Sequence, residues 1–123
     1  YTIYAPDAPG HGLSSGNFLS VPLYSALIET FVKHHNNLHT VVGHSLGSFS
    51  LLYTFYREPH LAVNRLILLS PPGEASDFIS AFQNTLRLSD RTVKLVVDNF
   101  ARRYQVAPDF FSARKFASRV NIK

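Results

Sequence analysis

The residues of this chain best suited to chemistry are Gly43, His44, Ser45, Leu46 and Gly47, which form a Gly-x-Ser-x-Gly segment. β-Branched residues before the segment predict the end of a buried strand, and apolar residues at helical spacing after it predict a helix. A serine at such a sharp turn is held in a strained conformation, with its hydroxyl clear of the main chain. Ser45 is therefore a candidate nucleophile. The Leu46 N–H, at the N-terminus of the helix, is a candidate oxyanion donor.

The neighbours of Ser45 are predicted to shape this turn. Gly43 and Gly47 lack a Cβ, so we expect strand and helix to approach closely there. We expect the His44 side chain to pack or hydrogen-bond beneath the turn. The five residues alone leave one alternative open, a glycine-rich connection between strand and helix that has no chemical role.

A second compact motif, Asp-Ala-Pro-Gly-His-Gly-Leu-Ser at residues 7–14, lies about 30 residues before the first. Its glycines and prolines predict a tight loop. We expect Asp7 to fix this loop. For His11 two interpretations stay open, a residue that lines a pocket and one that anchors the loop.

Together the two motifs resemble the nucleophile elbow of the α/β-hydrolase fold and the loop that follows its fourth strand. The resemblance implies a parallel sheet covered by helices, a serine nucleophile, and an acid and a histidine later in the chain. It also implies a helical cap over the sheet and no cofactor. Because members that remove halogen from haloalkanes carry aspartate at the place of Ser45, that branch is disfavoured.

The remaining sequence predicts the elements that would position these motifs. Strands are predicted near residues 1–5, 38–42 and 63–69, and helices from residues 20–22 to about 34 and over 46–56. Helical patterns alone follow, over 75–86, 90–104 and 108–117. The predicted fold class is α/β, with a partial doubly wound parallel sheet of about three strands. The predicted domains are a hydrolase core at 1–73, a helical cap at 74–119 and the start of a further strand at 120–123.

The predicted cap is rich in aromatic residues. We expect five of them to be core residues rather than substrate contacts: Phe78, Phe82, Phe100, Phe110 and Phe111.

None of the six histidines suits the role of general base for Ser45. His60 lies beyond the far end of the helix that starts at Ser45, roughly 18 Å away at 1.5 Å per residue. His39 begins the strand that leads to Ser45, about 20 Å away. His34 and His35 end the preceding helix, at the wrong edge of the sheet. His44 leaves the turn in another direction, and His11 precedes the serine, against the family order.

We therefore expect the catalytic histidine to lie outside these residues. The acid is also expected outside, with Glu74 and Asp77 as weaker candidates after the strand that ends near residue 69. The second oxyanion donor, from the loop after the third strand, would precede residue 1.

Composition narrows the class of protein. The chain has 123 residues, 46% of them apolar, no cysteine and a net charge of +4. Acidic and basic residues balance over residues 1–73, so the excess lies in the helical part after them, where nine basic residues face five acidic ones. No nucleic-acid-reading motif accompanies this charge, and solubility is its simplest explanation. No apolar run reaches the roughly 20 residues of a membrane span.

These observations predict the central part of a serine hydrolase that acts on an ester or a related acyl substrate, through an acyl-enzyme at Ser45. We expect a small-molecule substrate, no metal, no nucleic-acid partner and a cytoplasmic location. An acyltransferase, a C–C hydrolase and a cofactor-free haloperoxidase stay open within enzymes. The alternative from another class is a non-catalytic hydrolase-like domain that binds a ligand or a partner.

Overall fold

The computed structural model of the chain describes residues 2–35 and 37–122. Within them, two strands alternate with helices before the chain becomes helical after Gly73, as the sequence predicts. The elements in order are helix α1 (Val21–His34), strand β1 (Thr40–His44), helix α2 (Leu46–Arg57), strand β2 (Arg65–Leu69), helices α3 (Ala75–Leu86) and α4 (Asp90–Tyr104), a 3-10 turn (Pro108–Phe110) and helix α5 (Ala113–Ala117).

The sheet is parallel, and its register runs from Thr40 opposite Arg65 to His44 opposite Leu69. Parallel neighbours require a crossover, and α2 supplies it. The α/β class is therefore confirmed, although the sheet of the described residues has two strands where the sequence predicts about three.

The strand predicted at residues 1–5 is wrong for its described part. Residues 2–5 form no strand, and the Ile3 side chain is 88% exposed. A run of β-forming residues becomes a strand only when a neighbour accepts its backbone hydrogen bonds, and no described segment pairs with this one. The Tyr4 ring instead packs on His35 and Phe31, with centroid distances of 4.4 and 5.9 Å. Tyr1 lies outside the described residues.

The strand start predicted at 120–123 is likewise absent over residues 120–122. Lys123 lies outside the described residues.

Helix α2 is the centre of the structure, because it packs on the sheet, on α1 and on α5. Residues 48–55 are all buried. At the contact with α1, the Thr54 hydroxyl donates to Ser25 Oγ at 3.0 Å, and both side chains are fully buried. α1 begins where the sequence predicts, with Ser20 Oγ accepting from the Leu23 N–H.

The buried apolar cluster joins α2 to the C-terminal helical part. Its members are Phe49, Leu52, Tyr53, Phe111 and Phe116. Phe111 and Phe116 come from the segment predicted as the cap. Of the five aromatic residues expected in the core, Phe111 is buried, and Phe100 and Phe110 pack against the cluster. The expectation is wrong for Phe78 and Phe82, which are 40% and 51% exposed, because they lie on α3, a helix with no buried residue.

Candidate active site

Ser45 is the residue that connects β1 to α2, and its backbone has φ 50° and ψ −122°. Residues other than glycine rarely adopt a positive φ, so this conformation is strained and must be held by its surroundings. The Ser45 N–H donates to Leu69 O at 2.9 Å, and the Ser45 carbonyl accepts from the Phe49 N–H at 3.1 Å. The Ser45 hydroxyl makes no capping bond to the helix. The predicted strand, sharp turn and helix are therefore present, and the hydroxyl is not used to hold them.

Ser48 fastens this turn to the neighbouring strand, a role that the sequence reasoning missed. Its side chain is fully buried, and its Oγ accepts from the Leu69 N–H and donates to Leu69 O, both at 3.0 Å. Leu69 O thus accepts both from the Ser48 hydroxyl and from the Ser45 N–H. The end of β2 therefore fixes the first turn of α2, on which the Ser45 backbone depends.

The two glycines of the motif have different surroundings. A Cβ on Gly43 would lie 2.6 Å from Leu51 Cδ1 and 2.8 Å from the Ser48 nitrogen, so the predicted close approach of strand and helix occurs there. A Cβ on Gly47 would meet only Tyr24 Oη, at 3.9 Å. The expectation of a close approach at Gly47 is therefore wrong in this structure, because this nearest atom, on α1, lies at an ordinary van der Waals distance.

Leu46 is the first residue of α2. The first N–H groups of a helix have no acceptor within it, and they carry the positive end of the helix dipole. This position suits the predicted role of the Leu46 N–H as an oxyanion donor.

Ser70 is a second serine with positive φ, at 48°. It directly follows Leu69, the residue that pairs with His44 at the end of the sheet. Both parallel strands therefore end at the same edge in a strained serine. The sequence gives no signal for this conformation, because a residue before a proline ordinarily adopts extended backbone.

The loop at residues 7–14 is held by Asp7, as predicted. The Asp7 carboxylate accepts from the Leu13 N–H at 2.8 Å, and the Asp7 carbonyl accepts from the Ser14 hydroxyl at 2.8 Å. His11 is exposed, and its Nδ1 lies 3.0 Å from Pro9 O in the same loop. It is not among the residues of the apolar pocket described below. The structure thus favours His11 as a loop anchor over His11 as a pocket residue.

All six histidines lie in the part of the chain that the structure describes, and none hydrogen-bonds to the Ser45 hydroxyl. His39 Nδ1 bonds to Thr40 Oγ1 at the start of β1. The His35 ring packs on Phe31 and His34, with centroid distances of 4.4 and 5.1 Å. His60 lines a separate cavity of about 250 Å³ beyond the end of α2.

His44, the residue before Ser45, differs from the expectation. It is exposed, so the prediction that it packs beneath the turn is wrong. Its face of the sheet, which also bears Val42, Ile67 and Leu69, is not covered by the described residues; these three side chains are 58%, 44% and 49% exposed.

The two candidate acids differ in their surroundings. Glu74 is half-buried, and its Oε1 accepts from the Ser112 hydroxyl at 2.7 Å. Asp77 is exposed in the first turn of α3. Neither carboxylate bonds to a histidine within the described residues.

A pocket of about 290 Å³ lies between the first turn of α2 and the helices α3 and α4. Leu46, the residue that follows Ser45 in the chain, is part of its wall. Most of the wall is apolar, and four phenylalanines contribute to it: Phe49, Phe78, Phe100 and Phe111. Ligand pockets in proteins have volumes upward of about 300 Å³, so this one suits a small ligand.

Metal sites and membrane-spanning helices are two further features to consider in the described residues. These residues contain no cluster of three or more histidine, cysteine, aspartate or glutamate side chains able to hold a metal ion. In the same residues, no helix has the length and apolarity needed to cross a membrane.

Comparison with known proteins gives one finding on the family. A family model described as "Alpha/beta hydrolase family" matches residues 1–121, nearly the whole chain. Searches of curated proteins and of solved structures gave no match.

Proposed function

The chain belongs to the α/β-hydrolase family, and from this premise we propose that Ser45 is the nucleophile of a serine hydrolase that acts on an ester or a related acyl substrate. One observation carries the proposal. Ser45 has φ 50° between a parallel strand and a helix, and its hydroxyl makes no capping bond to that helix. Strain of this kind persists only where surrounding contacts impose it, and it often marks a functional site.

In the proposed reaction, Ser45 Oγ attacks the carbonyl carbon of the substrate while a histidine accepts the hydroxyl proton. The Leu46 N–H donates to the carbonyl oxygen as it gains negative charge. When the bond to the leaving group breaks, the histidine returns the proton to the leaving oxygen. Water, activated by the same histidine, then attacks the acyl-enzyme and releases the carboxylic acid together with free Ser45.

We place that histidine outside residues 1–123. His11 Nδ1 and His39 Nδ1 each hydrogen-bond within their own segment, and His60 lines another cavity. We also place the acid outside, since the carboxylate of Glu74 is engaged by Ser112 and Asp77 faces solvent. A second oxyanion donor from a segment before residue 1 belongs to the same proposal.

In this proposal residues 1–73 are the hydrolase core and residues 74–119 a helical cap. Side chains of α3 and α4 line the pocket whose wall also includes Leu46, in the first turn of α2. A cap in this position governs access to Ser45.

The proposal is tested by labelling the full-length protein that contains this chain with a fluorophosphonate probe, which modifies activated serines. We expect labelling that disappears in Ser45→Ala. Ser70→Ala is the matched control, because Ser70 is another serine with positive φ at the same edge of the sheet. We expect Ser70→Ala to retain the label.

Two results would contradict the proposal. Labelling that persists in Ser45→Ala would assign the nucleophile elsewhere. A folded full-length protein that takes up no probe would support the alternative, a non-catalytic domain that binds a ligand or a partner.

A further inference from the structure

The pocket beside Leu46 has two polar side chains in its wall, Ser20 and Glu74, and both are already paired. Ser20 Oγ lies 2.6 Å from the Tyr104 hydroxyl, and Glu74 Oε1 accepts from the Ser112 hydroxyl at 2.7 Å. Neither Tyr104 nor Ser112 lines the pocket. Ser20 Oγ and Glu74 Oε1 are therefore paired with groups outside the wall.

We infer that this pocket takes an uncharged hydrocarbon group, and that this group is the acyl part of the substrate. The assignment to the acyl part rests on the proposed function. In that reaction the carbonyl oxygen binds at the Leu46 N–H, so the carbon chain starts beside Leu46, a residue of the pocket wall. Because burying an unpaired polar group costs several kcal/mol, an apolar wall of this kind rejects charged or strongly polar acyl groups.

The volume sets the size of the group. An engineered apolar cavity of about 150 Å³ holds benzene, which has six carbons. The pocket here has about 290 Å³, roughly twice that volume. It therefore fits a group of about ten to twelve carbons.

The side chains that limit this size lie on α3 and α4. Ile79 and Val97 are half-buried in the wall, whereas Leu95 is 60% exposed and is not part of it. Val97→Phe should shorten the pocket, while Leu95→Phe, two residues away on the same helix, should leave its volume unchanged.

A binding experiment tests the pocket without catalysis. In the full-length Ser45→Ala protein, fluorescence titration compares naphthalene, with ten carbons and no polar atom, with 2-naphthoate, which adds a carboxylate. We expect naphthalene to bind at least about tenfold more tightly. Val97→Phe should weaken naphthalene binding by about tenfold, and Leu95→Phe should not change it. Equal affinity for the two ligands would overturn the inference, and this comparison needs no substitution beyond Ser45→Ala. Equal effects of Val97→Phe and Leu95→Phe would also overturn it.

A kinetic experiment tests the assignment to the acyl part. For hydrolysis of p-nitrophenyl esters by the full-length protein, we expect kcat/KM to rise by up to about fourfold per CH2 between butyrate and decanoate, and to level off beyond dodecanoate. Val97→Phe should move this plateau to shorter chains, and Leu95→Phe should not.

The outcomes separate the two proposals. If Ser45-dependent turnover is present but kcat/KM is flat with chain length, the acyl assignment fails and the proposed function stands. If fluorophosphonate labelling fails while naphthalene binds and responds to Val97→Phe, the proposed function and the acyl assignment fail and the hydrocarbon pocket stands.

Discussion

Replacing Ser48 with alanine should loosen the turn that carries Ser45. The substitution removes two hydrogen bonds, one from the Leu69 N–H to Ser48 Oγ and one from that hydroxyl to Leu69 O. At roughly 0.5–1.5 kcal/mol for each bond, the loss is about 1–3 kcal/mol of folding free energy. Because Leu69 O also accepts from the Ser45 N–H, part of the effect should appear at Ser45, the proposed nucleophile.

Ser50→Ala is the matched control for this substitution. Ser50 lies on the same helix and is also fully buried, but its hydroxyl has no hydrogen-bond partner among the described residues. Both substitutions remove the same atom, and both exchange serine for the better helix former. Because removal of an unsatisfied buried hydroxyl carries no hydrogen-bond loss, we expect Ser50→Ala to be neutral or slightly stabilising.

The assay is equilibrium unfolding in urea of the full-length protein, with the rate of fluorophosphonate labelling as a second readout. We expect the Ser48→Ala midpoint to fall and its labelling to slow, while Ser50→Ala keeps both near the wild-type values. Equal destabilisation by the two variants would refute the reasoning, because it would mean that buried volume, and not the bonds to Leu69, determines the cost.

Three further predictions concern the turn and the surface. Gly43→Ala should lower the free energy of unfolding in urea by at least about 1–3 kcal/mol, because the new Cβ would meet the Ser48 backbone. Gly47→Ala should leave it unchanged or raise it, and equal losses for the two variants would contradict this. Ser45→Gly should stabilise by about 1–3 kcal/mol, through relief of its positive φ, and should abolish labelling; an unchanged midpoint would contradict it. A hydrogen bond from Lys33 lowers the pKa of Glu29, so Glu29→Gln should destabilise the protein slightly at pH values above the ordinary pKa of 4.5. This difference in unfolding free energy should be lost as the pH falls through the lowered pKa. A difference that does not change with pH would exclude this.

The turn at Ser45 could be predicted from the sequence because its cause is local. Strand residues, a glycine without a Cβ and a helical pattern meet within a few positions, and no distant partner is needed to define the type of structure. The role of Ser48 could not be predicted in the same way. Its bonds depend on the end of β2 lying against the first turn of α2, and a contact between residues 48 and 69 leaves no mark in the local pattern.

The predictions that were wrong also depend on contacts between residues that are distant in the sequence. Residues 2–5 have the composition of a strand but no described neighbour to pair with, so they form no strand and are exposed. Phe78 and Phe82 have helical spacing, which predicts the helix correctly, but burial depends on what packs against that helix. In the structure the rings of Phe78 and Phe82 pack against each other, with centroids 5.0 Å apart, and Phe78 also lines the pocket.

The two parts of the candidate site, the Ser45 turn and the pocket side of α3 and α4, differ in how many contacts stabilise them. Substitutions in the two parts should therefore have different effects. The Ser45 turn is bound to β2 by bonds of 2.9 and 3.0 Å to Leu69, next to a helix whose residues 48–55 are all buried. α3 and α4 contain no buried residue, and their main contacts are with the 3-10 turn. Substitutions at the turn should therefore change both stability and reaction rate. Substitutions on the pocket side of α3 and α4 should change which acyl group is accepted, with little change in stability, because few contacts there are available to lose.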